Sequence, residues 1–248
     1  MLTLHSYPDL FGVADNNPFG LKVYAFMRVC GLDFVHRHIL DASQAPRGQL
    51  PYLLDGEFAV GDSDAIIEYL RRRYRLPIDG GLSDGQRNLD LLVRRTLDDL
   101  YWQMSWSRWG DERFWPAFRD ALLSAHPGIA AASLETARAY NHQRYHYQGI
   151  GRYEPAQIYE RGIANLRVVA DLIGPSGFVF GAEPASIDAA IYGFVANIHF
   201  YDIETPLKRY VKSRPQLVRH CLDMHCRTAQ RRPPLHAHGP RAAQGAAQ

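Results

Sequence analysis

Residues 50–70 are LPYLLDGEFAVGDSDAIIEYL, and they carry the clearest structural signal in the chain. A strand entered through Pro51 is followed by Asp55-Gly56, a strong hairpin turn signal, and by a second short strand over residues 58–60. Asp62-Ser63 then opens a helix with an apolar face. This arrangement leaves backbone and hydroxyl donors beside an extended strand edge. It predicts a cradle for a small peptide-like ligand that carries a carboxylate.

The residues before this stretch predict a β-α-β unit. A strand over residues 2–7 leads into a long loop, and Pro18 suits the first position of a helix whose N-cap is Asn17. Gly31 ends that helix, and residues 34–39 mix apolar and polar positions as a half-buried strand does. A strand, a helix and a strand so close together imply a right-handed parallel crossover.

Beyond residue 76 the chain changes character. Residues 77–85 contain Pro, Asp, Gly-Gly and Ser, which predicts a linker. Helices are expected at residues 86–108, 115–124, 128–147, 155–172, 186–200, 206–212 and 215–226. We therefore expect a first domain over residues 1–76, a linker over 77–85, an all-helical domain over 86–230 and a disordered tail over 231–248.

Composition narrows the classes of function. The 248 residues are 46% hydrophobic and 22% charged, as in ordinary globular proteins, and the net charge of +2 gives no reason to expect nucleic acid as a partner. No stretch approaches the roughly 20 apolar residues of a membrane span, and the N-terminus lacks a signal-peptide pattern. The three cysteines are too few and too scattered for a disulfide framework, so we expect a cytoplasmic protein. His142 and His146 lie four residues apart, but no acidic neighbour completes a zinc motif, and no metal is expected.

The order of elements resembles the glutathione transferase superfamily over nearly the whole chain. Three motifs carry the resemblance: the helix start at residues 17–23, the pair Leu50-Pro51 and Asp62-Ser63, and residues 178–190. Three features are similar to the bacterial-type members of the failed-axon-connections and metaxin-like branch. They are the long loop before residue 18, the string at residues 50–52 with residues 62–64, and the turn at residues 149–153. The resemblance implies a thioredoxin-like α+β N-terminal domain followed by an all-α C-terminal domain. It also implies a homodimer.

The resemblance further implies that the cradle holds glutathione, a flexible anionic tripeptide. The backbone of Leu50, before the family's cis-proline at Pro51, would pair with the cysteinyl part of glutathione. The hydroxyl and amide of Ser63 would bind the γ-glutamyl carboxylate at a helix N-terminus, and Asp62 would accept from the ligand's ammonium. Without the resemblance, an ordinary helix cap at Ser63 and an ordinary loop proline at Pro51 explain the same residues.

The catalytic position departs from the family pattern. Many members have Ser or Cys just before the helix-opening proline, whereas this chain has Asn17. An amide can donate a hydrogen bond to a thiolate but cannot form a covalent intermediate, which argues against thiol-transferase chemistry. Tyr7, at the end of the first strand, is the other candidate donor. A role for Asn17 as the N-cap alone is an equal alternative.

The acceptor substrate would lie between the domains. Trp102, Trp106 and Trp109 fall on one face of the helix after the linker and predict an apolar pocket, and Arg113 could polarise an electrophile. Core packing of the rings and a solvated arginine are the alternatives.

These features lead to one principal function and two alternatives. The principal expectation is a glutathione transferase that conjugates glutathione to a small hydrophobic electrophile of the epoxide or halide type, in a detoxifying role. A non-catalytic binding or assembly protein that keeps the fold is the first alternative, and Asn17 motivates it. A glutathione-dependent reductase or isomerase ranks below both, because no thiol or proton shuttle can be placed.

Overall fold

The structure is a computed structural model that describes residues 1–175 and 177–230. The tail predicted over residues 231–248 lies outside the described residues. The N-terminal part of the chain has the predicted order of elements: β1 (Leu2–Ser6), α1 (Pro18–Val29), β2 (Phe34–His38), β3 (Tyr52–Asp55), β4 (Phe58–Gly61) and α2 (Ser63–Arg73).

The four strands form one mixed sheet in the order β2-β1-β3-β4. β1 and β2 are parallel, as the predicted crossover requires, while β3 is antiparallel to both β1 and β4. The hairpin turns through Gly56, whose φ of 62° suits a residue without a side chain. Tyr52 therefore pairs with His5 on one side and with Gly61 on the other.

The rest of the described chain is helical: α3 (Asp84–Trp109), α4 (Trp115–Ala125), α5 (Ala131–Gln148), a 3-10 turn (Ile150–Arg152), α6 (Pro155–Leu172), α7 (Ser186–His199), α8 (Pro206–Lys212) and α9 (Pro215–Ala229). The predicted α5 start at residue 128 is too early, because His126 and Ile129 first close a separate turn and Ile129 packs into a satellite core. α6 and α8 have the predicted bounds, each opened by a proline at its first position.

The two halves share one hydrophobic core. α1 packs directly on α7, where Gly193 brings the two backbones together: a Cβ at that position would lie 2.5 Å from the carbonyl oxygen of Pro18. Fully buried side chains from both halves meet there, among them Leu21, Phe26, Ile187 and Phe194. The start of α1 is therefore held by the helical half as well as by the sheet.

A buried carboxylate fixes the start of α7. Asp188, with no exposed surface, accepts hydrogen bonds from the backbone N–H of Val179 at 3.1 Å and of Ala185 at 2.8 Å, and it pairs with His220 Nε2 at 3.0 Å. Ala185 offers no capping oxygen, and the hydroxyl of Ser186 accepts from Arg94 instead. Of the two hydrogen bonds of a capping box, only the one from the Ala185 N–H to the Asp188 side chain is therefore formed.

None of the helices within the two described ranges combines the length and the apolar character needed to cross a membrane.

Candidate active site

The sheet register brings three predicted site residues to one end of the sheet. His5 pairs with Tyr52, and Tyr52 pairs with Gly61. Tyr7 lies two residues after His5, Leu50 two residues before Tyr52, and Ser63 two residues after Gly61. The end of β1, the entry to β3 and the N-terminus of α2 therefore meet at this end of the sheet.

The backbone N–H and C=O of Leu50 lie at this end of the sheet. The peptide bond between Leu50 and Pro51 is cis. Within the described chain, neither the N–H nor the C=O of Leu50 has a backbone partner. An extended peptide laid beside it can form both hydrogen bonds, in the manner of an added strand.

The N-terminus of α2 adds further donors. Asp62 is its N-cap, with φ of 78°, and its Oδ1 accepts the N–H groups of Asp64 and Ala65, both at 3.0 Å. Ser63 is therefore the first helical residue and not the cap. Its backbone N–H has no backbone partner in the part of the chain described, so amide and hydroxyl can both donate to an anion. The second oxygen of Asp62 accepts no hydrogen bond from the described residues, so it can accept from an ammonium.

Lys22 is a site residue that sequence reasoning missed. Its side chain, 3% exposed, extends from α1 and donates to the Ser63 hydroxyl oxygen at 3.1 Å, and it forms an ion pair with Asp64. Burial lowers the pKa of Lys22, and the neighbouring Asp64 opposes that shift. Because Lys22 occupies a lone pair of the Ser63 oxygen, the Ser63 proton points elsewhere. The available signal was a lysine between Leu21 and Val23, in a helix whose other residues are mostly apolar.

Asp64 connects this cluster to the helical half. Its Oδ1 also accepts from Arg94 of α3 at 2.9 Å, and Arg94 is held in turn by Asp90 and by the Ser186 hydroxyl. Burial alone would raise the pKa of Asp64, but Lys22 and Arg94 outweigh it and lower that pKa below its usual value.

Asn17 uses its side-chain oxygen and leaves its side-chain nitrogen available. Oδ1 accepts the N–H of Phe19 at 3.0 Å and so caps α1. Since capping requires the oxygen, the NH2 group is the free end of the amide, and the residue lines the interdomain cleft. The two alternatives for Asn17, N-cap and hydrogen-bond donor, are therefore compatible in one side chain.

Tyr7 lines the same cleft. No hydrogen-bond partner for its hydroxyl is found among the residues described. Burial raises the pKa of Tyr7 to about 12, assisted by Tyr101 and Asp15 and opposed by Arg144. The hydroxyl thus keeps its proton at neutral pH and can donate it to a hydrogen bond.

The loop that carries Asn17 is held by the helical half. Arg108 of α3 donates to the carbonyl oxygens of Asn16 and Asn197. Asn197 of α7 donates from Nδ2 to the carbonyl oxygen of Asp15 at 3.1 Å. The Asp15 carboxylate accepts the N–H of Asn17 at 2.6 Å, and burial raises its pKa well above the usual range.

An interdomain cleft of about 330 Å³ opens beside Tyr7 and Asn17. Its walls come from the loop before α1, from α3, and from α4 and α5. Its size lies at the lower end of the range for small-molecule sites. A small acceptor molecule placed there would lie next to the two candidate donors.

The aromatic prediction for α3 needs a correction. Trp109 lines the cleft, whereas Trp102, Trp106 and Arg113 do not. Trp106 is 8% exposed and packs edge-on against Tyr159, with ring centroids 5.7 Å apart, as core packing predicts. Arg113 lies outside the cleft and is paired with Asp111 at 2.6 Å.

The cleft face of α3 runs instead through Tyr101, Met104, Ser105 and Arg108. Three of these positions come one residue before Trp102, Trp106 and Trp109. The cleft face is therefore rotated by about 100° around the helix axis from the face that carries the tryptophans. Periodicity grouped three tryptophans on one face of α3. Trp109, near the end of that face, lines the cleft, and the adjacent face supplies the rest of the α3 lining.

Within residues 1–175 and 177–230, no three His, Cys, Asp or Glu side chains are close enough together to hold a metal ion. His142 and His146 lie on α5 without an acidic third ligand.

An α+β domain with a cis X-Pro bond at the entry to a central strand, joined through a cleft to an all-helical domain, defines the glutathione transferase class of fold. Comparison with known families agrees. A protein-family model described as the glutathione S-transferase N-terminal domain matches residues 18–114. A second family model, described as the glutathione S-transferase C-terminal domain, matches residues 162–224.

Individual proteins give the same result. The chain is 28% identical over 227 residues to an isoprene-epoxide–glutathione S-transferase of Rhodococcus sp. (strain AD45), covering 88% of this chain and 95% of that protein. It is 26% identical over 219 residues to Failed axon connections of Drosophila melanogaster, covering 82% of this chain but only 52% of that longer protein.

Solved structures show the same fold at low identity. A β-etherase from Sphingobium superposes with a TM-score of 0.62 at 15% identity, covering 90% of this chain and 94% of that one. A glutathione S-transferase from Methylobacterium radiotolerans, solved with glutathione sulfonate, gives a TM-score of 0.60 at 15% identity, covering 97% and 98%. The chain belongs to the glutathione transferase superfamily, and the expected fold and its similarity to the failed-axon-connections branch are confirmed.

Proposed function

We propose that the protein conjugates glutathione to a small hydrophobic electrophile of the epoxide or halide type. The observation that carries the proposal is the arrangement of Leu50 and Ser63 at one end of the sheet. Among the described residues, the backbone N–H and C=O of Leu50 and the backbone N–H of Ser63 have no backbone partner. These groups match a peptide with a terminal carboxylate and ammonium. The Rhodococcus relative, named for an epoxide acceptor, supports the same chemistry.

In this proposal the tripeptide lies along the entry to β3. Leu50 pairs with the cysteinyl backbone next to Pro51, Ser63 binds the γ-glutamyl carboxylate, and the free oxygen of Asp62 accepts from the ammonium. The thiol then lies near the start of α1, where the dipole favours an anion.

The sulfur is held as a thiolate by hydrogen bonds from the Asn17 amide and the Tyr7 hydroxyl. Each hydrogen bond to a charged acceptor contributes about 1.5–3 kcal/mol, enough to lower the thiol pKa by one unit or more. The electrophile occupies the cleft lined by Trp109, and Trp102, Trp106 and Arg113 have no direct part. The chain needs no metal for this reaction.

Titration calorimetry with glutathione at millimolar concentration tests the proposal. Ser63→Ala should weaken binding by about tenfold or more, since it removes a hydrogen bond to a carboxylate. Ser124→Ala, an exposed change on α4, is the matched control and should bind as the parent does. Absence of heat from the parent protein would exclude the function, and equal affinity in Ser63→Ala would remove Ser63 from the site.

A non-catalytic binding or assembly role is the second candidate. Asn17 at the catalytic position and the similarity to Failed axon connections favour it. Capture of one stoichiometric protein partner, with no turnover of model electrophiles, would support that role. A reductase role is the weakest candidate. Cys30 and Cys221 are buried, the exposed Cys226 lies on α9 outside the cleft, and Asn17 cannot form a disulfide.

A cytoplasmic location, a detoxifying role and a homodimer belong to the same proposal. Exposed apolar side chains at Phe58, Leu91 and Leu92 support self-association through β4 and α3. Light scattering during size-exclusion chromatography measures the oligomeric state, and a mass of 28.2 kDa would exclude the dimer.

A further inference from the structure

The interdomain cleft carries positive charge that its own walls do not neutralise. Among the residues that the structure describes, its lining includes Arg108 and Arg144 and no aspartate or glutamate. Arg108 is occupied, since it donates to the carbonyl oxygens of Asn16 and Asn197 and to the Asn197 side chain. The cationic donors available to a ligand therefore belong to Arg144.

Arg144 is held in place by its neighbours on α3 and α5. Its Nη1 donates to Asn141 Oδ1 at 3.1 Å, and the guanidinium lies 5.1 Å from the ring centroid of Trp102 and 5.7 Å from that of Tyr140. A further hydrogen bond joins Arg144 to the Tyr101 side chain. These contacts hold the guanidinium in place, and its remaining N–H groups can donate to a ligand. None of the ion pairs formed by the described residues includes Arg144.

Arg144 also acts on the predicted thiolate donors. It shares the cleft with Tyr7 and Asn17, and its charge lowers the pKa of Tyr7 against the larger effect of burial. Burial lowers the pKa of Arg144 itself, but the adjacent Tyr101 raises it overall, so the guanidinium remains charged throughout the working pH range. A fixed cation thus lines the same cleft as the two proposed thiolate donors.

We propose that Arg144 determines which electrophile the protein accepts, favouring those whose reaction places a negative charge on oxygen, an epoxide above all, over alkyl or aryl halides. This inference rests on the proposed transferase function.

The reaction has a clear charge balance. The thiolate sulfur gives an electron pair to an epoxide carbon, the S–C bond forms, and the C–O bond breaks with its electron pair staying on oxygen. The resulting alkoxide is stabilised by hydrogen bonds from the guanidinium. It then takes a proton from solvent, which balances the proton that the thiol released on ionisation. Arg144 donates hydrogen bonds throughout and does not transfer its own proton.

A halide gains much less from the same group. Chloride leaves with a diffuse charge on a large atom and accepts hydrogen bonds weakly, whereas an alkoxide concentrates its charge on one oxygen. The benefit of a preorganised donor scales with the charge that develops beside it. Loss of Arg144 should therefore change the ratio of the two reactions as well as their rates.

The test compares styrene oxide with benzyl chloride. Both are attacked at a carbon next to the same ring, but one releases an alkoxide and the other releases chloride. In Arg144→Met, kcat for styrene oxide should fall about 10–100-fold, while kcat for benzyl chloride should change less than about threefold. Arg144→Lys, which keeps the charge but loses the planar fork, should lie between the parent and Arg144→Met.

The matched control is Arg161→Met. Arg161 also lies over an aromatic ring, 5.2 Å from that of Tyr153, but it lies outside the cleft, and both rates should stay at parental values. Circular dichroism and thermal melting confirm that each variant is folded. Glutathione affinity by calorimetry should be unchanged in Arg144→Met.

Each of three kinetic results would overturn the inference while leaving the transferase proposal intact. They are an equal loss of both reactions in Arg144→Met, no loss in either, and a parent enzyme that converts benzyl chloride but not styrene oxide. A fall in glutathione affinity would also overturn it, because Arg144 would then bind the tripeptide. A parent protein that neither binds glutathione nor converts either electrophile would remove the proposed function and this inference together.

Discussion

The Nζ atom of Lys22 lies 3.1 Å from the hydroxyl oxygen of Ser63, although 41 positions separate the two residues in the chain. A buried ammonium thereby directs the hydroxyl proton away from α1 and places positive charge behind the proposed carboxylate site. Asp64 compensates part of that charge. Lys22 thus orients Ser63 in the proposed carboxylate site without itself contacting the ligand.

Replacing Lys22 by methionine should raise the glutathione Kd by about tenfold. The Ser63 hydroxyl loses its fixed orientation and the bound carboxylate loses a nearby positive charge, together worth about 1.5 kcal/mol. Calorimetry measures the effect. Lys212→Met, which breaks a half-exposed ion pair with Glu204, serves as the control and should leave the Kd unchanged. An unaltered Kd in Lys22→Met would show that the contact serves folding only.

Two substitutions of Asn17 should separate capping from thiolate stabilisation. Asn17→Asp keeps a capping oxygen but replaces the NH2 donor with negative charge, so helix stability should be retained while the thiol pKa of bound glutathione rises by about one unit or more. Asn17→Ala should lose both, with about 1 kcal/mol of stability lost. Thiolate absorbance against pH and urea unfolding measure the two effects. An Asn17→Asp variant with parental thiol pKa would assign Asn17 to capping alone.

The pH dependence of the reaction should reflect the raised pKa of Tyr7. Its hydroxyl donates only while protonated, and with a pKa of about 12 it stays protonated through the assay range. The rate should therefore rise as the thiol ionises and then remain level to about pH 10. Tyr7→Phe should shift the rising limb upward by about one pH unit. A parental rate that falls between pH 7 and 9 would contradict the assignment of Tyr7 as donor.

Asp188→Ala should destabilise the helical half severely. The change leaves the N–H groups of Val179 and Ala185 and the His220 ring without their shared buried acceptor, at a cost of about 3 kcal/mol. Urea unfolding measures it. The exposed Asp202→Ala is the control and should fall within about 0.5 kcal/mol of the parent. A similarly small effect at position 188 would mean that water replaces the carboxylate.

Local signals accounted for most of the fold. Prolines at first helical positions marked the starts of α1, α6 and α8, and the Asp55-Gly56 signal placed the hairpin. Each of these depends on residues that are close together in the chain, where backbone preferences act directly. The start of α5 was predicted too early because a separate turn near Ile129 depends on packing against another element.

The candidate site was less predictable, because its contacts join distant segments. Nothing local shows that Lys22 reaches Ser63 or that Arg94 reaches Asp64. The rotation of α3 that turns Trp106 inward also depends on which helices cover it. Periodicity defines faces of a helix, but tertiary packing decides which face meets a ligand.

The anchoring of the loop before α1 has a consequence for protein engineering. Arg108 and Asn197 belong to the helical half, yet they hold the carbonyl oxygens of Asp15 and Asn16, next to the proposed thiolate donor Asn17. Exchanging the helical half for that of a relative, in order to import a new acceptor preference, would also remove the anchors that position the donor. Acceptor choice and sulfur reactivity are therefore not independently exchangeable in this chain, and a functional chimera must carry both anchors with it.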